Sequence, residues 1–167
     1  HPGAWLVLAP RHPERAAEVE RLVVQHGLTV GRLSRDTSAL GGTRDVLLVD
    51  TVGQLSRLYR LGWVAFVGGS LVPVGGHNLL EPAGLGLPVL FGPHTHHVAE
   101  TAAALEACGG ARRVRDAGEL ATALSGLVAD AGERERMGTA ARAVLEQNRG
   151  ALERSVGLVC EAVDRAR

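Results

Sequence analysis

Lysine is absent from this chain: all 18 basic residues are arginine, they face 18 acidic residues, and the formal net charge is zero. That balance leaves no global field to draw in nucleic acid or an anionic membrane. The arginine bias, beside 22 glycines, reads as genome-level composition and carries no functional weight. Cysteine is scarce. Cys108 and Cys160 stand far apart and fit neither a CxxC pattern nor a metal-ligand spacing, so they read as buried thiols of a reducing, cytosolic compartment. No apolar run approaches the roughly 18 residues of a membrane span, and no charged-then-apolar signal segment opens the chain. Its first residue is His1 rather than Met, and an apolar run starts at Trp5, as expected of a piece cut from something longer.

What is present is a hydrophobic share of 46% over 167 residues, enough to bury the core of a single domain, 1–167. Short apolar runs alternate with longer periodic stretches, the pattern of βαβ units around a parallel sheet. Strands are predicted over Trp5–Ala9, Leu28–Leu33, Asp45–Asp50, Val64–Val67, Leu87–Phe91 and Ala111–Val114. Helices are predicted over Glu14–His26, stopped by Gly27, and over Gln54–Leu61, Leu79–Leu85, Val98–Ala107 and Ala117–Arg165, the last with breaks near Gly132 and Gly150. The polar loop Ser34–Arg44 is the expected mobile segment. The fold class is α/β, a Rossmann-like doubly wound parallel sheet of about six strands with helices on both faces.

In such a sheet ligands bind outside the carboxyl ends of the strands. Three loops fall there: Ala9–Glu14, Gly68–Asn78 and Gly92–His97. The helix expected to begin near Asn78 aims backbone N–H groups at that mouth, where a phosphate is held without lysine. Arg11 offers a two-pronged guanidinium, and Glu81, one turn into the helix, can accept hydrogen bonds from a ribose diol. Each feature has a plainer reading that stays open. Asn78 and Glu81 have the spacing of a capping box, Gly-Gly pairs mark turns everywhere, and Arg11 alone is a surface charge. His77 is either a base or a residue that shapes the turn. His94, His96 and His97 lie close together, but adjacent histidines rarely aim at one centre and no acid or cysteine stands beside them, so no metal is expected.

The string Phe66-Val-Gly-Gly-Ser-Leu-Val-Pro-Val-Gly-Gly-His-Asn-Leu-Leu-Glu-Pro82, followed by Gly86-Leu-Pro-Val-Leu-Phe-Gly-Pro-His-Thr95, strongly resembles the signature of the Kdo (3-deoxy-D-manno-oct-2-ulosonic acid) transferases of lipopolysaccharide synthesis. The opening Ala9-Pro-Arg-His-Pro-Glu-Arg15 resembles the same family, and the likeness covers nearly the whole chain. It implies a GT-B glycosyltransferase of two facing Rossmann-like domains, of which this is the C-terminal, CMP-Kdo-binding one. The N-terminal domain, absent here, supplies the catalytic carboxylate, the surface for a lipid A precursor and the peripheral contact with the cytoplasmic side of the inner membrane. Carried over by position, Arg11 and His12 lie near the nucleotide, Gly68, Gly69, Ser70, Gly75, Gly76, His77 and Asn78 form the phosphate turn, and Glu81 meets the ribose. Arg11 and Asn78 then stabilise the leaving group, in a reaction that needs no metal and no cofactor. The domain alone is expected to be soluble and to bind CMP or CMP-Kdo without catalysing. Val74 and the pair His96-His97 depart from the family pattern, which bears on contacts to the donor sugar. Two other readings remain: a GT-B enzyme using a UDP- or GDP-sugar, and a nucleotide-binding module without catalysis.

Overall fold

Each apolar run of the sequence supplies one short parallel strand, and the stretches between them wind into helices. The computed structural model describes residues 3–35 and 44–148, which fall into two units, His1–Gly62 and Trp63–Arg167.

The first unit runs β1 (Leu6–Leu8), a 3-10 turn (Pro13–Arg15), α1 (Ala16–Gln25), β2 (Val30–Arg32), β3 (Val46–Leu48) and α2 (Leu55–Tyr59). Pro13 opens the helical turn, where a missing N–H costs nothing, and Gly27 ends α1 with φ +74. Strand β3 lies between its neighbours in the order β1-β3-β2 and is buried along its length, with Leu47 and Val49 packed on Leu58 of α2. Carboxylates tie its ends to the loops. Asp45 accepts from the Thr29 hydroxyl at 2.7 Å and the Thr29 N–H at 2.8 Å, and Asp50 accepts from the Ser34 hydroxyl and N–H at 2.6 and 3.0 Å. Those bonds from Thr29 hold the Asp45 carboxyl below its ordinary pKa. Burial pushes Asp50 upward, but the bonds from Ser34 and the charge of Arg32 bring it below the usual value.

The second unit runs β4 (Ala65–Val67), α3 (Leu80–Gly84), β5 (Val89–Phe91), α4 (Ala99–Ala107), β6 (Ala111–Arg113), α5 (Ala117–Ala129) and α6 (Ala131–Asn148). Its sheet has the order β4-β5-β6, with helices on both faces because successive side chains of a strand point opposite ways. Val89 and Phe91 pack with Leu79, Ala83, Ala102, Leu105, Ala141 and Val144, while Leu90 between them packs with Ala123, Leu127 and Met137. All three β5 residues are fully buried, a stabilisation of roughly 1.5–3 kcal/mol for each side chain.

The structure corrects several expectations. The six strands pair as two three-stranded parallel sheets, not as one sheet of about six. An apolar run marks a strand but says nothing about which edge it joins. The break expected near Gly132 is present, at Asp130, whose extended backbone and side chain, accepting from the Glu133 N–H at 2.9 Å, cap α6. Cys108 is exposed, not buried. It ends α4, and its thiol donates weakly to Leu105 O at 3.3 Å and Ala140 O at 3.4 Å. Most of the loop expected to be mobile, the break at Gly150 and Cys160 lie outside the described residues. Among the described residues no helix is long and apolar enough to cross a membrane.

Candidate functional site

The two loops that leave the carboxyl ends of β4 and β5 are built into each other. Ser70, 1% exposed, donates its hydroxyl proton to Val67 O at 2.6 Å and accepts the Gly92 N–H at 2.9 Å, and its carbonyl accepts the His94 N–H at 2.9 Å. Farther along, the His97 N–H donates to Gly75 O at 3.0 Å, and the Gly76 N–H closes the first turn on Gly69 O at 2.8 Å. The approach is close enough to demand glycine. A Cβ on Gly92 would stand 2.3 Å from Ser70 O.

Gly69, Gly75 and Gly76 have φ of +70, +105 and +82, a region L side chains rarely adopt. The His77 ring covers Gly69, where a Cβ would meet its Nε2 at 2.8 Å. At Gly75 a Cβ would come 2.5 Å from His97 Nδ1 and 2.6 Å from His96 Nε2. These two imidazoles meet edge to face at 4.4 Å, both exposed, and His94 is half-buried. Among the described residues no three His, Cys, Asp or Glu side chains are placed to hold a metal ion.

Asn78, exposed, accepts the Leu80 N–H at 3.0 Å just ahead of α3, whose N-cap position is Leu79 and carries no side-chain cap bond. Glu81, half-buried, stands in the first turn. The helix has five residues, including Pro82. Its dipole is correspondingly small, and a ligand at this end would be met by local backbone N–H groups more than by the helix as a whole. The structure thus brings together Gly68, Gly69, Ser70, Gly75, Gly76, His77, Asn78, Glu81 and the histidine loop within one unit. Arg11 and His12 stand in the other unit, after β1, both exposed, with His12 Nδ1 3.2 Å from Glu14 Oε1.

Sequence reasoning passed over the residues that fasten the Gly92–His97 loop from its other side. Arg113 of β6 donates from Nε and Nη2 to the two Glu106 oxygens at 3.2 and 2.6 Å, and from Nη1 to Pro93 O at 3.2 Å and Thr95 Oγ1 at 3.3 Å. Its guanidinium lies 4.9 Å from the centre of the Phe91 ring. Glu106 is seven residues and Thr95 eighteen residues away in sequence, so no local spacing announces the group.

Among solved structures, the chain is similar to the C-terminal CMP-Kdo binding domain of WaaA from Acinetobacter baumannii, with a TM-score of 0.79 and 31% identity over 84% of this chain and 73% of that one. The class is therefore the Rossmann-like C-terminal domain of a GT-B fold. It is also 37% identical to the 3-deoxy-D-manno-octulosonic acid transferase of Haemophilus influenzae over 99% of this chain and 39% of that protein. The corresponding values are 37% over 93% and 36% for the Bordetella pertussis enzyme of that name, and 42% over 74% and 33% for the Aquifex aeolicus one. No family model matches the chain. This chain belongs to the 3-deoxy-D-manno-octulosonic acid transferase family, and it spans about two-fifths of the length of those relatives.

Proposed function

We propose that this chain is the donor-binding part of a Kdo transferase and holds CMP-Kdo by its nucleotide. The observation that carries the reading is the glycine turn 68–78: three left-handed glycines bring side-chain-free backbone to the mouth of a parallel sheet, just ahead of α3. Bare backbone is what an approaching phosphate requires. The solved domain that this chain resembles is described as binding CMP-Kdo.

In this reading an acceptor hydroxyl attacks the anomeric carbon of Kdo, the bond from that carbon to the phosphate oxygen breaks, and CMP departs. N–H groups of the turn stabilise the charge growing on the phosphate, and Glu81 receives the ribose hydroxyls. Ser70 has already given its one hydroxyl proton to Val67 O, so its part is to shape the turn. The base that takes the acceptor proton, the lipid A precursor and the contact with the cytoplasmic face of the inner membrane belong to a second, N-terminal domain. The chain itself binds without turning over.

Calorimetric titration of the chain with CMP, UMP and GMP, with EDTA present, tests the reading. Selective CMP binding is expected, weakened by Glu81→Ala. Selective binding of UMP or GMP would move the donor to another nucleotide sugar, and loss of binding in EDTA with rescue by zinc would overturn the metal-free site.

A further inference from the structure

The loop 92–97 is held from two sides by alternating groups. The N–H groups of Gly92, His94 and His97 reach across to Ser70 and Gly75, while Pro93 O and Thr95 Oγ1 face Arg113. Glu106 engages the rest of the guanidinium with both carboxylate oxygens, and Phe91 covers one face of it. Arg113 and Glu106 are each about two-thirds covered, at 34% and 33% exposure, and Thr95 is 8% exposed. Nε, Nη1 and Nη2 of this arginine all bond to protein atoms, and its charge is cancelled by a partner within the fold.

We infer that Arg113 is a positioning residue for the donor site: clamped by Glu106, it fixes the Gly92–His97 loop and, through that loop, the glycine turn that meets the nucleotide. The inference rests on the donor-binding reading above, but it concerns how the wall is kept in place. A planar fork with fixed donors suits this task, because it can grip a carboxylate with two nitrogens and still aim the third at the loop. Supporting residues of this kind hold binding groups to within a fraction of an ångström, and their loss is felt as lost affinity. Arg112, the next residue of the strand, faces the other way toward Glu133 at 3.7 Å and is the natural control.

The test compares the native chain with Arg113→Gln, Thr95→Val and Arg112→Gln by CMP titration and by the NMR resonances of the His94, His96 and His97 rings. Arg113→Gln is expected to weaken CMP binding about tenfold, the size of one lost charge-assisted hydrogen bond, and to move the histidine resonances. Thr95→Val, which keeps the Arg113–Glu106 pair and serves if Arg113→Gln does not fold, is expected to give a smaller change in the same direction. Arg112→Gln is expected to leave both readouts as in the native chain. Native affinity and unmoved resonances in Arg113→Gln would overturn the inference. So would weakened affinity with unmoved resonances, which would make Arg113 a direct ligand contact. If the native chain binds no CMP, the donor-binding reading fails by itself. The histidine resonances then decide alone, upholding the positioning role if they move and overturning it if they do not.

Discussion

Ser70 shows how one buried hydroxyl can join two loops. With its proton on Val67 O and its lone pair on the Gly92 N–H, Ser70→Ala strands both partners in a site closed to water. Unfolding in urea should reveal a loss of about 1–3 kcal/mol. Gly92→Ala attacks the same junction sterically, because its Cβ would be driven against the Ser70 carbonyl. A cost of at least about 1–3 kcal/mol is expected, with the melting temperature as readout. At this scale the sequence was half legible. Paired glycines announce left-handed backbone, and Gly69, Gly75 and Gly76 adopt it. The partners of Ser70 and Arg113 were hidden, since Gly92 is 22 residues from Ser70 and Thr95 is 18 from Arg113, and contacts at that range are made by the fold.

Helices α5 and α6 meet at Asp130, and that junction shows two local rules competing. Gly132 offers a flexible break, but Asp130 followed three residues later by Glu133 offers a cap, and the cap prevails. Asp130→Ala should therefore cost about 1 kcal/mol by thermal or chemical unfolding. Farther along α6, Gly138 lies against the chain leaving α3, where a Cβ would stand 2.0 Å from Gly86 O. Element identity was readable because the periodic stretches are long and the apolar runs short. Pairing was not, since three-residue strands of similar composition carry no mark of their neighbours. The length of α3 was also overestimated, Pro82 and the turn at Gly86 confining it to five residues.

For the molecule as a whole, the first unit carries the clearest pH dependence. Asp45 and Asp50 titrate below their ordinary values when folded, so the unfolded chain takes up their protons first as pH falls. Their contribution is complete above the ordinary aspartate value of about 4 and disappears as pH drops through the lower folded values. The melting temperature should fall on acidification from neutral to about pH 3. Asp45→Asn, having less to lose, should show a smaller drop. The division into two units was not legible either, because both have the same alternation of strand and helix and no change of composition separates them at Gly62.

Helix α4 joins the histidine loop to an exposed thiol. Its nine residues put Cys108 roughly 14 Å of helix rise away from the end of that loop. With Cys160 replaced by serine, a maleimide fluorophore on Cys108 would ride on the helix that leaves the site without entering it. Ligand-induced tension in the loop would then be visible as a change of colour or anisotropy at nanomolar protein, far below what calorimetry needs.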